Sequence, residues 1–409
     1  MENRSWKVRF FTIWTGQAFS LLGSSLVDFA LIWYLTEVTG SERILVLSNL
    51  LALLPRMILG PFAGSLIDRM PRKRVMVLAD GGIALVTAAL IALFALDAVS
   101  VPMVMGVLLL RSLGAMFHQP AMKSATALLV PPEHLPRVGG MNRVLSGAMT
   151  IVAPVAGAML IELFEIVSVL CIDLATAAIA VITLLLSAIP NPARETASKP
   201  SILGETLDGL RYVAKTKSLL FVVGTCTLAN FCVGPCEALK SLMVTEVFGG
   251  GVMQLSWITA ASGLGLIVGG AVMGLWGGCR RNLVTSAIGW GGVGVSYCAI
   301  ALLPGNGFSL LVAFMFAAGV FMAIGSAGLD AFYETKVPQA YHGRVFSVLS
   351  SLDNTTVPIG LIVAAFLSES VPIAFWYLIT GLLHFSLFVF WLGSKTLRRA
   401  EEEDGGLAA

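Results

Sequence analysis

Four polar residues near the N-terminus recur at helical spacing within an otherwise apolar stretch. Gln17, Ser20, Ser24 and Asp28 follow one another at intervals of three, four and four positions, so they share one face of a helix. A polar face on an apolar helix indicates that the helix lines a cavity. We predict that Asp28 takes up a proton or meets a cationic ligand, and a buried structural acid is the alternative interpretation.

An arginine lies deep inside another apolar run. Arg111 is ten residues into the run that begins at residue 101, about 15 Å deep at 1.5 Å per residue. Ala115, His118 and Gln119 lie on its helical face. A charge at this depth in a bilayer costs roughly 2.5–3.5 kcal/mol, so a function is the default hypothesis. Two interpretations stay open, a structural pair with a nearby acid and a role in proton coupling.

The second half of the chain offers two acids. Glu237 lies beside Lys240, so a surface ion pair and a coupling role are both open. Asp353 borders a polar helical face and is the other candidate for coupling or substrate binding. The residues predicted to line the cavity, taken from both halves, are Gln17, Ser24, Asn230 and Asn354.

The composition indicates which elements position these residues. Of 409 residues, 57% are hydrophobic and 12% are charged, and the mean hydropathy is +0.87, values typical of a membrane protein. The net charge of +2 gives no reason to expect a nucleic-acid partner. Runs long enough to cross a bilayer as helices occur at about 8–35, 44–66, 75–96, 101–120, 142–163, 166–189, 218–240, 253–277, 283–303, 308–332, 344–367 and 372–393.

The basic residues predict the orientation of these twelve helices. Of the 26 Lys and Arg residues, 22 fall before the first run, in alternate connections, or after the last run. Positive charge in short loops marks the cytoplasmic side. We therefore predict that both termini are cytoplasmic, in a multi-pass protein of a bacterial-type inner (plasma) membrane.

The chain divides into two similar halves. Residues 190–217 form the long polar interruption, and they separate a bundle at 1–189 from a bundle at 218–394, with a cytoplasmic tail at 395–409. Within 190–217, apolar residues recur at helical spacing and predict an amphipathic helix. The pattern VPxxxxxRV occurs at Val130 and again at Val337. Such an internal repeat is typical of transporters built from two six-helix repeats.

The chain lacks the sequence signatures of ATP-driven or enzymatic chemistry. The stretch "GPCEALKS" at 234–241 has Leu239 where a phosphate-binding loop requires its second glycine. No GxSxG or HExxH pattern occurs, and the four histidines are scattered along the chain. We therefore predict no enzymatic activity, no cofactor and no metal site.

Several motifs resemble the major facilitator superfamily. "GSLIDRMPRKR" at 64–74 is similar to the loop motif between helices two and three of that family, although Pro71 replaces the usual glycine. "APVAG" at 153–157 resembles its helix-five antiporter motif, with Ala153 in place of glycine. "RSLGAMFHQPA" and "GRVFSVLSSLDNTTVPIG" look like the macrolide-efflux branch. The matching motif residues are Gly64, Asp68, Arg69, Arg72, Lys73, Pro154 and Gly157.

The resemblance implies a fold and an activity. It implies an all-α membrane protein with 12 transmembrane helices in two six-helix bundles, working as a monomer by alternating access. It also implies efflux of macrolide-like amphipathic drugs, a small-molecule cargo, in exchange for protons. Export of an endogenous metabolite or siderophore and partnership with a soluble ATPase are the alternatives.

The resemblance also ranks the remaining charges. It implies that Asp68 and Arg69 form a latch between conformational states, whereas Arg72 and Lys73 could equally be positive-inside anchors. Asp173 and Arg56 receive less weight, because helices two and six are often peripheral in this family. Asp330 is placed close enough to the inner surface to be solvated.

Overall fold

The computed structural model describes residues 2–131, 134–189, 202–338, 341–367 and 370–394. Their side chains are described except at 2–5, 56, 60–69, 127, 136, 143, 202–207, 342–343, 347, 350 and 353–354. These described ranges are helices joined by short connections and contain no strand. The predicted all-α fold is therefore confirmed.

The first compact unit, here called the N-terminal unit, comprises Met1–Glu195 together with Gly251–Ser256. Its helices are long, because apolar sequence continues for five or more turns between breaks. They are α1 (Glu2–Thr39), α2 (Glu42–Arg69), α3 (Arg72–Ala95), α4 (Val101–Leu129), α5 (Leu135–Leu163) and α6 (Ile166–Leu186).

The C-terminal unit comprises Thr196–Gly250 together with Trp257–Ala409. A π-helical turn, Met243–Val247, follows its short helix α9. Helix α10 begins within the residues assigned to the N-terminal unit. The helices are α7 (Ile202–Lys215), α8 (Lys217–Ala238), α9 (Lys240–Leu242), α10 (Val252–Trp276), α11 (Asn282–Ala301), α12 (Phe308–Lys336), α13 (His342–Leu367) and α14 (Ile373–Gly393).

Ten helices in the described ranges are long and apolar enough to cross a membrane. Helices α2 and α13 are of similar length and include positions whose side chains are not described. Helix α4 was predicted to end at residue 120, but it continues through Pro120 to Leu129. Helix α5 likewise begins at Leu135 rather than at 142. Both helices are therefore longer than the membrane-spanning runs that the sequence predicted.

Small residues bring α1 close to α6 in the N-terminal unit. A Cβ added at Gly23 would lie 3.0 Å from the Asp173 Cα atom, so glycine is required for this approach. Helix α1 also packs on α5, where Gly157 leaves room for the Phe29 ring. Helix α3 packs between α4 and α6. Helices α1, α3, α4 and α6 therefore pack around a common interior in this unit.

Helix α11 packs against α12 and α14 in the C-terminal unit. A Cβ on Gly289 would collide with the backbone of Gly325, so the α11 and α12 backbones are in direct contact. The predicted amphipathic helix is α7, and it packs on α13 rather than standing alone. Tyr212 stacks on Tyr341 with ring centroids 4.6 Å apart.

Candidate functional site

Arg111 lies at the centre of a polar cluster built by four helices of the N-terminal unit. Its Nη1 donates to Asp173 Oδ2 on α6 and to Thr87 Oγ1 on α3, each at 2.6 Å. Its Nη2 donates to the Ser24 carbonyl of α1 at 3.4 Å. Arg111 is 4% exposed and Asp173 is 1% exposed. The guanidinium and its nearest carboxylate therefore form a buried, hydrogen-bonded ion pair.

A second carboxylate shares this guanidinium. Asp28 Oδ1 lies 3.5 Å from Arg111 Nε, a buried nitrogen that makes no hydrogen bond. The Asp28 side chain is 63% exposed, in contrast to Asp173. Asp28 and Arg111 line a cavity of about 280 Å³ with Ser24, Asn49 and Gln119. One of the two acids is therefore fixed inside the unit, and the other faces the cavity.

The charges of this cluster do not balance when both acids are ionised. A single guanidinium faces two carboxylates, and its best hydrogen bonds go to Asp173. Ser24 Oγ also donates to Asp173, at 3.3 Å, so Asp173 is better satisfied than Asp28. A proton or a cationic ligand that arrives in the cavity would neutralise the remaining carboxylate, which belongs to Asp28. The arrangement can therefore exchange a positive charge at Asp28 without breaking the Arg111–Asp173 pair.

The position of Asp173 differs from its expected place. The sequence ranked Asp173 below Asp28, because helix six was expected to be peripheral. Instead α6 packs on both α1 and α3, and Asp173 is the nearer of the two carboxylates to Arg111. A charge inside an apolar run was the signal that could have found it.

A second polar cluster of the N-terminal unit involves Gln17, Asp80 and His118. Gln17 Nε2 donates to Asp80 Oδ2 at 3.0 Å, and His118 Nε2 lies 3.4 Å from Asp80 Oδ1. Asp80 is 4% exposed and was missed in the sequence, although it also interrupts an apolar run. A cavity of about 420 Å³ lies beside this cluster, and Ser24 is one of its lining residues.

The cations of the loop motif are bonded inside the N-terminal unit. Arg72 is buried and donates through Nε to Ser124 Oγ at 2.9 Å and through Nη1 to the Met70 carbonyl at 3.0 Å. Lys73 Nζ donates to the carbonyls of Leu185 and Ser187 at the end of α6. These contacts tie α3 to α4 and to the C-terminal end of α6, where a cation is favoured.

The remaining motif residues lie at the end of α2. Gly64, Asp68 and Arg69 belong to the last turns of this helix. The side chains of Asp68 and Arg69 are outside the described residues, so the predicted latch stays a prediction.

The C-terminal unit contains a cavity of about 420 Å³ with a mainly apolar lining. Asn230 lines it, as the sequence predicted for a cavity residue. The polar lining also includes Asp330, His384 and Trp290. Asp353 and Asn354 lie on α13, and their side chains are outside the described residues.

Glu237 forms an ion pair with Lys240 across the junction of α8 and α9. The Glu237 side chain is 51% exposed, and Glu237 is absent from the residues that line the C-terminal cavity. Lys240 is buried, so the pair is only partly at the surface, and both interpretations of Glu237 stay predictions.

Comparison with known proteins identifies the family. The family model of the Major Facilitator Superfamily matches residues 13–239 and 228–407. The chain belongs to the major facilitator superfamily. Among solved structures, a nucleoside transporter (NupG) aligns with a TM-score of 0.71 at 16% identity and covers 95% of this chain and 100% of that one. A bacterial homologue of the iron transporter ferroportin, in an inward-facing state, has a TM-score of 0.71 at 14% identity, covering 94% and 99%.

Curated relatives of the superfamily are similar over most of the chain. "Macrolide efflux protein A" of Streptococcus pyogenes is 34% identical over 382 residues, which cover 93% of this chain and 94% of that protein. A protein of the same name from Enterococcus faecalis is 33% identical over 325 residues, covering 79% and 100%. "Multidrug efflux pump Tap" of Mycolicibacterium fortuitum is 26% identical, covering 85% and 86%. The chain is therefore a multi-pass inner-membrane transporter of bacterial type.

Two residues of the family's helix-five motif lie at the α1–α5 contact. Pro154 and Gly157 are buried in α5, and a Cβ at Gly157 would lie 2.9 Å from Phe29 Cδ1. Phe29 directly follows Asp28, so this packing fixes the part of α1 that carries the cavity-facing acid. Within the described ranges, no group of three or more His, Cys, Asp or Glu side chains is placed to hold a metal ion.

Proposed function

We propose that this membrane transporter exports macrolide-like amphipathic drugs in exchange for protons, by alternating access. The similarity to two macrolide efflux proteins and to a multidrug efflux pump supports drug efflux. A single observation supports the proposed proton coupling. Arg111 faces two carboxylates, and only one of them, that of Asp28, lines a cavity.

The proposed cycle uses the unequal bonding of the two acids. Asp173 accepts hydrogen bonds from Arg111 and Ser24 and stays bonded to the guanidinium through the cycle. Asp28 takes a proton from the outer side when the cavity opens there, and the neutral acid then has no attraction to Arg111. Release of that proton on the inner side restores the Asp28–Arg111 attraction, so the protonation state of Asp28 biases the two conformations.

An ion gradient can supply the required energy. One proton that crosses 100 mV and one pH unit supplies about 3.7 kcal/mol. With one-to-one exchange and an uncharged cargo, this limits accumulation to roughly several hundredfold. That limit is compatible with drug resistance.

The test is uptake of a radiolabelled 14-membered macrolide into inverted membrane vesicles with an imposed pH gradient. We expect gradient-driven uptake by the unchanged protein, and uptake by Asp28→Asn at the level measured without a gradient. Glu37→Gln is the matched control, because it removes an exposed acid from the same helix. A normal response of Asp28→Asn to the gradient would refute coupling at Asp28.

A protonophore separates proton exchange from dependence on a soluble ATPase. In vesicles that contain the purified protein alone, collapse of the gradient should abolish macrolide uptake. Uptake that appears only when an ATPase and ATP are added would replace the proposed energy source. Gradient-driven transport of another cargo without any macrolide uptake would replace the proposed drug.

A further inference from the structure

The cluster of Gln17, Asp80 and His118 is not used by the coupling site around Arg111. Asp80 is a buried carboxylate that accepts one hydrogen bond from Gln17 and has the His118 ring at 3.4 Å. His118 Nε2 is itself buried and makes no hydrogen bond. Its distance to Asp80 would suit an ion pair if His118 carried a second proton. The pair therefore has an acid and a base in place, but no fixed cation.

The two clusters form successive layers of one helix bundle. Seven residues are almost two turns, so positions seven apart lie on nearly the same helix face, about 10.5 Å apart along the axis. Each of three helices contributes one residue to each layer: Gln17 and Ser24 on α1, Asp80 and Thr87 on α3, and His118 and Arg111 on α4. The Asp80 layer therefore lies directly beneath the Arg111 layer, toward the C-terminal end of α4.

The cavities beside the two layers are adjacent. Ser24, Ile83, Ala115 and Gln119 line both the cavity that contains Asp28 and the cavity that contains Asp80 and His118. At about 30 Å³ for each water molecule, volumes of about 280 and 420 Å³ hold several waters. Ser24 and Gln119 place polar groups at the boundary, so a proton can pass between the layers by way of water.

Three other charged groups belong to the helices that surround Asp80. From α3, Arg72 is bonded to Ser124 and Met70. From α4, Lys123 lines the same cavity as Asp80, and Arg111 is bonded in the first layer. Helices α1 and α5 present uncharged groups to the cavity, Gln17 and Asn142 among them. His118 is therefore the nearest described group that can change the charge beside Asp80.

We propose that Asp80 and His118 form a second proton-binding site, which accepts the proton that Asp28 releases. This inference rests on the proposed proton exchange at Asp28. The proton leaves the Asp28 carboxyl, which becomes a carboxylate, and passes through cavity water to His118 Nε2, which becomes an imidazolium paired with Asp80. The imidazolium then loses the proton to solvent at the C-terminal end of α4 and returns to the neutral ring.

The first test follows the histidine signals of the purified full-length protein by NMR with selectively labelled histidine. Four histidines are present, and single His→Gln variants assign their signals. We expect His118 to titrate between pH 5 and 8. Its midpoint should be lower in Asp80→Asn than in the unchanged protein, because the carboxylate 3.4 Å away favours the imidazolium. His384, in the C-terminal unit, is the internal control and should not respond to Asp80→Asn.

Two results of this titration would overturn the proposal. One is a His118 signal that does not change between pH 5 and 8, and the other is a midpoint that is the same in Asp80→Asn. If Asp80→Asn fails to fold, Asp80→Glu replaces it and should also displace the midpoint. The titration does not require transport, so its failure is distinguishable from failure of proton exchange at Asp28.

The second test measures the pH profile of macrolide uptake in vesicles. We expect His118→Gln to lose the pH dependence on the inner side, whereas Asp80→Glu restores part of the rate that is lost in Asp80→Asn. A structural role would instead lower the rate by the same factor at every pH, and that result would overturn the proposal. Glu162→Gln, an acid of the same unit outside both layers, is the matched control.

Discussion

The two compact units differ in how they satisfy buried polar groups. The N-terminal unit contains buried charges, Asp80, Arg111 and Asp173, that are bonded to one another or to neutral side chains from other helices. The described buried polar groups of the C-terminal unit are mostly hydroxyls. The others are His384, whose Nδ1 lies 2.8 Å from the Thr380 carbonyl, and one cation, Lys240, which is paired with Glu237. This difference supports the proposal that proton exchange takes place in the N-terminal unit.

The helices of the C-terminal unit approach one another more closely. Gly289 meets the Gly325 backbone, and a Cβ on Gly294 would collide with the backbone of α14. The cavity of this unit has a largely apolar lining, in which Asn230 and Trp290 contribute polar atoms. Close backbone packing around an apolar cavity suits a cargo that is recognised by shape and a few hydrogen bonds.

The largest effect is expected when a buried charge loses its partner. Arg111→Leu leaves Asp173 buried and unpaired, and we expect a loss of about 3–5 kcal/mol in the free energy of unfolding. Replacing both residues with leucine should recover most of that loss. Melting of the detergent-solubilised protein measures this, with Arg74→Leu, at an exposed site, as the control. Equal melting of Arg111→Leu and Arg74→Leu would contradict the comparison.

An intermediate effect is expected from glycine contacts in the C-terminal unit. Gly289→Ala introduces a methyl group against the Gly325 backbone and should cost about 1–3 kcal/mol. Gly224→Ala adds a methyl group with no atom within 4 Å and should be neutral or stabilising by up to about 1 kcal/mol. The same melting assay measures both. If the two variants have the same melting temperature, close backbone packing does not distinguish the C-terminal unit from the N-terminal unit.

A smaller effect is expected for the loop cations. Lys73→Met removes two hydrogen bonds to carbonyls at the end of α6 and should cost about 1–2 kcal/mol. Arg280→Met, in the C-terminal unit, changes an exposed cation and should leave the melting temperature unchanged. A cost shared equally by both variants would mean that Lys73 acts only as a membrane-surface charge.

The smallest effect concerns cargo affinity. The indole N–H groups of Trp290 and Trp376 are both buried without a hydrogen-bond partner, but only Trp290 lines the C-terminal cavity. We expect Trp290→Phe to weaken macrolide binding about three- to tenfold, the equivalent of one hydrogen bond. Trp376→Phe should bind normally. Equilibrium binding of the radiolabelled drug to purified protein separates the two, and equal affinities would exclude a bond from Trp290.

Local sequence patterns predicted which helix faces are polar, because helix periodicity depends on residues that are close in sequence. The face of Gln17, Ser24 and Asp28 could be predicted from intervals of three and four, and all three line cavities of the N-terminal unit. Arg111 was found because a charge in an apolar run is costly wherever the helix packs. The superfamily was also predictable, since its motifs are short and contiguous.

Partners across helices could not be predicted in the same way. Asp80 and Asp173 lie in runs with few other polar residues, and their importance depends on which helices pack around Arg111. For Arg72 and Lys73 the sequence left a motif role and membrane-surface anchoring both open, and only the structure shows that they bond to Ser124 and to carbonyls at the end of α6.

The sequence by itself determined which helix faces are polar and where charges enter the membrane, because both follow from spacing and composition. Only the tertiary structure decided that Arg111 is bonded to Asp173 while Asp28 faces the cavity. That choice depends on the approach of α1 to α6 at Gly23, a contact between residues about 150 positions apart. Ion pairs form between whichever charges packing brings within a few ångströms, and packing is a property of the whole bundle.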